Sequence, residues 1–202
     1  MNLQKEFKMT AKKWNDHYLQ NDFPWDLGEP SPIFVKYFEN FDGKNQTAIV
    51  PGAGRGNDAI FLAQKGFGVT ILDVSEKALE IVQERAEELD LKINLVCGDV
   101  TNYTFENKFD FWVEHTCFCA IHPTERESYI KTASKNLKPN GTFIGALMSF
   151  PLTEEGPPFG GSKEEYLERF EKDFEILKLE NNKHFVERRK DREFFILAKL
   201  KV

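Results

Sequence analysis

Apolar and polar positions alternate along the chain in short, regular units. Residues 5–20 place Phe7, Ala11, Trp14 and Tyr18 at helical spacing, one apolar stripe on an otherwise polar helix. The stretch "NDFPWDLGEPSP" breaks this regularity with prolines and a glycine. Ser31–Pro32, a cap residue followed by a first-turn proline, predicts a second helix with Phe34, Phe38 and Phe41 on one face. Beyond it, "TAIV", "GVTILDV", "KINLVC", "FDFWV" and "GTFIGALM" read as strands separated by helical periods. The first of those helices leaves a glycine loop and runs to about Lys65, closed by Gly66. The next is capped by Ser75 and turns Leu79, Val82, Ala86 and Leu89 inward. A Thr124/Glu127 capping box opens another, carrying Ile130, Ala133 and Leu137. After the irregular "SFPLTEEGPPFGG", Ser162 and Glu165 cap a last helix, and "FEILKLE" and "REFFILAKL" lie close enough to pair as a hairpin.

Strands alternating with helices predict an α/β fold, a Rossmann-like three-layer sandwich. Its seven-stranded sheet is mostly parallel, with an antiparallel C-terminal hairpin strand, and N-terminal helices cap a ligand. Residues 1–202 read as one domain, with a helical flap over 1–45 and the core over 46–202.

Composition narrows the partners. The net charge is −6 with no long basic run, which argues against nucleic acid because phosphate neutralisation needs clustered Lys and Arg. The locally basic "KHFVERRKDR", residues 183–192, is interleaved with acid and reads as a solvated edge or hairpin. No apolar run approaches a membrane span, and the first twenty residues are too polar for a secretory leader. The odd set Cys97, Cys117 and Cys119 forms neither a disulfide framework nor a metal-ligand spacing. A cytoplasmic protein with reduced thiols, no metal and a small-molecule substrate is expected, monomeric by default. Nineteen phenylalanines predict a core or pocket rich in rings.

The candidate chemistry lies in "IVPGAGRGNDAIFLAQKGFGVTILDVS". Gly52, Gly54 and Gly56 follow the first strand, where glycine permits a sharp turn and the close approach of a ligand. Such a loop can also be pure turn geometry. Asp73 strengthens the ligand reading: it ends the next strand, 21 residues after Gly52, where a carboxylate can accept from both hydroxyls of a ribose. The dinucleotide fingerprint requires glycine at position 57, which is Asn. The spacing is instead GxGxG, as in class I methyltransferases, and "CGDV" supplies Asp99 where an acid can receive the adenine amino group.

"WDLGEPSP", "VPGAGRGNDAIFLAQKG", "FDFWVEHTCFCAIHPTERESY", "LKPNG" and "FPLTEEGPPF" together resemble the thiopurine S-methyltransferase family, in its thiol and halide methyltransferase branch. The resemblance implies S-adenosyl-L-methionine as cofactor. It implies that Trp14 and Trp25 close over it, Gly52 meets its methionyl part, Asp73 its ribose, and Asp99 with Val100 its adenine side. His115 falls where relatives carry other polar side chains that line the cofactor. Periodicity alone places Trp14 in a core stripe. Trp25 sits in a proline-bounded segment, where its ring must find a pocket.

Phe23, Phe118 and Phe159 suggest an apolar acceptor side, the last on a glycine- and proline-rich lid. Arg126 reads equally as helix surface or as an anion contact. Glu114, His115 and His122 could relay a proton, although hydrogen bonding or cofactor lining serves each as well. Cys117 and Cys119 read as buried small hydrophobes. Methyl transfer to a thiol, thiopurine-like molecule, hydrosulfide, halide or thiocyanate is the function these features imply. A methyltransferase-fold protein acting on another small molecule, a nicotinamide-dependent oxidoreductase and a non-catalytic sensor of the same cofactor are the rival readings.

Overall fold

The computed structural model describes the backbone from Leu3 to Val202 and side chains from Met9 onward, so Phe7 lies outside the described side chains. Helices α1 (Leu3–Leu19) and α2 (Pro32–Tyr37) precede the alternating core. The core runs β1 (Thr47–Pro51), α3 (Asn57–Gln64), β2 (Gly68–Asp73), α4 (Glu76–Glu88), β3 (Ile93–Cys97) and β4 (Phe109–His115). It continues with α5 (Arg126–Asn136), β5 (Leu137–Met148), α6 (Lys163–Phe170), β6 (Phe174–Asn181) and β7 (Glu193–Leu200). The sheet order is β3-β2-β1-β4-β5-β7-β6. Strands β1 to β5 pair in parallel, and β7 runs antiparallel to both β5 and β6. The chain steps outward from β1 in both directions, so a crevice opens beyond the carboxyl ends of β1 and β4.

Period-two alternation sorts the strand side chains onto two faces. Ala48, Val50, Phe111 and Val113 pack under α2, α3 and α4 with Phe34, Phe38, Leu62, Leu79 and Val82. Ile49, Trp112 and Phe143 pack under α5 and α6 with Tyr129, Tyr166 and Phe170. Many of the phenylalanines therefore build the core. Phe38, Phe67 and Phe111 meet edge to face, with centroids 5.4 to 5.7 Å apart.

Helix boundaries differ from the sequence expectation in five places, one of them Leu137, which its spacing puts on the helix with Ile130 and Ala133 and which is the first residue of β5. Helix α2 ends at Tyr37, so Phe41 lies beyond it while its ring still meets Phe38. Ser31 makes no side-chain cap there; its backbone N–H donates to Asp58 Oδ1 at 2.7 Å. The Thr124/Glu127 capping box does not form. Thr124 Oγ1 bonds His122 Nδ1, α5 starts two residues later at Arg126, and Glu127 pairs with Lys131. Leu89 sits at the C-cap of α4 and is half exposed, one residue past the inward stripe. Ser75 and Ser162 do cap their helices, accepting from the N–H of Ala78 and Glu165. No described helix is long and apolar enough to cross a membrane.

Candidate active site

The carboxyl end of β1 turns on three glycines with positive φ: Gly52 at 54°, Gly54 at 56° and Gly56 at 76°. The turn is tied down by Gly52 N–H donating to the Leu72 carbonyl at 2.8 Å. A Cβ on Gly52 would stand 2.6 Å from Cys117 Sγ, and one on Gly56 would stand 2.7 Å from Val82 Cγ2. Glycine is therefore needed here both for conformation and for space. Asp73 lies beside this loop, 6% exposed. Its Oδ2 accepts from Gly54 N–H at 3.2 Å and its Oδ1 from Ser75 N–H at 2.8 Å. Burial raises its pKa to about 6, and the hydrogen bonds from Ser75 and Gly54 hold it from rising further.

The N-terminal segment covers this edge. A Cβ on Gly54 would lie 3.0 Å from Tyr18 Oη and 3.7 Å from Trp25 Nε1, so both rings stand directly over the loop. Trp14 meets Trp25 edge to face at 5.3 Å, and Phe23 stacks on Tyr18 at 5.8 Å. Trp14 thus belongs to the flap rather than to a buried stripe. Burial, then the Asp73 charge, pushes the Tyr18 phenol well above its ordinary range, so it stays protonated.

Polar contacts hold the flap down. Asn15 Oδ1 accepts from Ser75 Oγ and from Lys77 N–H at the start of α4. Asp26 accepts from Arg55 and from Asn57. The basic segment before β7 contributes a latch that its sequence did not suggest. Arg188 donates to the carbonyls of Pro24 and Asp26, and Arg189 to that of Trp25. Residues 183–192 are therefore more than a solvated edge. Backbone carbonyls as targets leave no complementary side chain to read in a sequence.

Adjacent strands bring the remaining candidates to the same edge in different environments. Asp99 follows β3, where Oδ1 accepts from Thr101 N–H and Oγ1 and Oδ2 from Asn102, while Val100 is buried. Glu114 and His115 are neighbours at the end of β4 but point to opposite faces of the sheet. Glu114 accepts from Phe118 N–H and from the Tyr129 hydroxyl inside the α5/α6 core, and burial raises its pKa to about 7. His115 points to the α2/α3 face, its Nδ1 2.7 Å from Asp58 Oδ2. The two cannot pass a proton directly between them.

The presumed acceptor side is packed more tightly than its sequence implied. Phe118 is buried against Tyr129, Tyr166 and Phe170. Phe159 is buried and anchors its loop, its N–H donating to the Cys119 carbonyl at 2.9 Å. Arg126 is no surface charge: it is fully buried, bonded to Glu165 and the Gly160 carbonyl, with its guanidinium over the Phe118 ring. Burial pushes the Cys119 thiol up to about 12 and the Cys117 thiol well above its ordinary range, which leaves neither as a thiolate nucleophile. His122 is exposed and bonded to Thr124. Among the described residues, no three His, Cys, Asp or Glu side chains cluster as metal ligands.

The sequence profile of the thiopurine S-methyltransferase family matches residues 9–199. The chain belongs to that family. Its members use S-adenosylmethionine, and the protein is a methyltransferase dependent on that cofactor. It is 32% identical to the probable thiol methyltransferase 2 of Arabidopsis thaliana over 157 residues, covering 76% of this chain and 69% of that one. It is 30% identical to thiocyanate methyltransferase 1 of the same plant over 191 residues, covering 89% and 81%. The fold matches that of the Burkholderia thailandensis 1,6-didemethyltoxoflavin-N1-methyltransferase, solved with bound S-adenosylhomocysteine, with a TM-score of 0.77 at 16% identity, covering 100% of this chain and 92% of that one.

The raised pKa of Asp73 has a defined consequence for stability. The folded state holds this proton more tightly than the unfolded chain, so the contribution is complete below about pH 4 and lost as pH rises through about 6. Asp73→Asn, which mimics the protonated acid, is expected to stabilise the ligand-free methyltransferase at pH 8 by up to about 2 kcal/mol and much less at pH 4. Thermal unfolding across that range measures the difference. A variant less stable than wild type at pH 8 would contradict the assignment.

Proposed function

We propose that this methyltransferase transfers the cofactor's methyl group to a small soft nucleophile by in-line displacement, and that the ring-lined flap over Gly54 is where the reacting sulfonium is held. The observation that carries this reading is the convergence of Trp14, Tyr18, Phe23 and Trp25 on the glycine turn beside Asp73. S-adenosylmethionine, when bound, supplies an electrophilic methyl on a cationic sulfur.

The chain's own residues suit that group. The backbone at Gly52 and Gly54 leaves no Cβ between the loop and the ligand. Asp73 offers acceptor oxygens to ribose hydroxyls, whose bonds would offset the cost of keeping the carboxylate charged under burial. Asp99 and Val100 follow β3, two strands from the loop, and are the residues offered to the adenine. Aromatic faces attract a cation by about 0.5–2 kcal/mol, and more when water is excluded. Closing the flap removes that water and fixes the line of approach, where positioning supplies much of the rate.

The acceptor class rests on two further points. The relatives named above are a thiol and a thiocyanate methyltransferase, and the basic groups at this edge are carboxylates and an imidazole, too weak to ionise an alcohol or amide outright. Thiols, hydrosulfide, halides and thiocyanate need little or no proton removal. An assay with labelled cofactor against thiophenol, hydrosulfide, iodide and thiocyanate is expected to give methylated product from at least one. Cofactor binding without product from any would favour a sensor.

The latch gives a kinetic expectation. Arg188→Ala removes two bonds to flap carbonyls and is expected to raise the dissociation rate of S-adenosylhomocysteine by about tenfold, roughly the 1–2 kcal/mol of a charge-assisted hydrogen bond. Stopped-flow competition measures it. An unchanged rate would show that the flap closes independently of this segment.

A further inference from the structure

The imidazole of His115 is 11% exposed and fixed on one side only. Asp58 Oδ2 lies 2.7 Å from Nδ1, and Asp58 is itself held by Ser31 N–H on its other oxygen. A carboxylate only accepts, so Nδ1 carries a proton and Nε2 is the atom left to act. Nε2 is buried and has no partner among the described residues. Buried polar atoms are nearly always paired, so one held in place without a partner calls for an explanation.

The surroundings locate this atom at the reacting edge. His115 ends β4, the strand beside β1, and the following turn presses Cys117 against the glycine loop. Glu193 on β7 also has a buried oxygen without a partner, Oε1, and its charge reaches His115. Arg189 stands 3.8 Å from that oxygen and donates to the carbonyl of Trp25, so the cluster lies under the flap. The Phe34 ring stands perpendicular to the imidazole, centroids 5.8 Å apart.

Resting on the acceptor reading above, we propose that His115 is the catalytic base, with Asp58 as its positioning residue, and that the acceptor is a thiol arriving with its proton rather than a proton-free anion. The S–H proton passes to His115 Nε2 and the sulfur keeps the bonding pair. That pair forms the new S–C bond as the cofactor's C–S bond breaks, its electrons staying on the departing sulfur. The imidazolium, held to Asp58 through Nδ1, afterwards returns its proton to solvent. Burial lowers the proton affinity of His115, but the Asp58 carboxylate, its hydrogen bond and the Glu193 charge outweigh that and the opposing Arg189, leaving the pKa raised. A base shifted upward is better matched to a thiol near pKa 8.5.

His115→Gln and Asp58→Asn test this in the full-length protein, with thermal unfolding as a check on folding. The acceptors are 2-mercaptoethanol, which must lose a proton, and thiocyanate, which has none to lose. For His115→Gln, kcat/KM with the thiol is expected to fall about 100-fold, the scale of general-base catalysis, and at least about tenfold further than with thiocyanate. The ascending limb of the wild-type thiol pH profile should move up to the range where the thiol itself ionises. In ligand-free protein, NMR should show the His115 ring titrating at lower pH in Asp58→Asn than in wild type. Equal losses on both acceptors, a parallel loss of S-adenosylhomocysteine affinity by calorimetry, or an unmoved His115 titration would each overturn the assignment. Methylation of thiocyanate but of no thiol by the wild type would overturn the thiol reading while leaving the soft-nucleophile reading intact. If the wild type binds S-adenosylhomocysteine and methylates no acceptor, the soft-nucleophile reading has failed and this assignment falls with it.

Discussion

A carboxylate held under burial at the end of β2 is the constraint around which the rest of this edge is built. Asp73 is nearly removed from solvent, and its charge is answered by backbone N–H groups, those of Gly54 and Ser75 foremost. Gly54 lies in a turn that no Cβ-bearing residue could follow without strain. Ser75 is the cap of α4, so the carboxylate joins the first loop to the next helix. An acid in such a place destabilises the ligand-free fold as it ionises. A ligand presenting hydroxyl donors would relieve that cost, which gives the site a physical reason to prefer a sugar diol.

The flap completes the same logic from the other side. Its rings meet the glycine turn, but its hold comes from polar contacts distributed over distant segments: Asn15 on the start of α4, Asp26 on Arg55 and Asn57, and Arg188 with Arg189 on the flap backbone. The last pair ties the first thirty residues to the β6–β7 connection, so closure engages both ends of the chain. Such latches are individually weak and reversible.

The fold was legible because its signals are local and periodic. Strand runs, helix caps at Ser75 and Ser162, and the closing hairpin each lie within a few residues of sequence, and their order dictates a parallel sheet with an antiparallel edge. Gly52, Gly54, Gly56 and Asp73 were legible as one site because a fixed topology brings that spacing to one edge. What sequence could not supply was orientation. Glu114 and His115 are adjacent in sequence, yet alternation sends one into the α5/α6 core and the other toward Asp58. Asp58 itself reads as a first-turn acid of a helix, and only tertiary packing turns it onto His115. Arg126 and Phe118 looked like site residues and are core, because a buried guanidinium found its partners 34 and 39 residues away. The Thr124 cap failed for a local reason, since His122 holds its hydroxyl.

A crystal structure with S-adenosylhomocysteine tests the central claim most directly. The expected result is both ribose hydroxyls within hydrogen-bond reach of Asp73, with the thioether sulfur within about 6 Å of the Trp14 or Trp25 ring. Product seated away from the glycine turn, or a ribose that leaves Asp73 bonded only to Gly54 and Ser75, would contradict it.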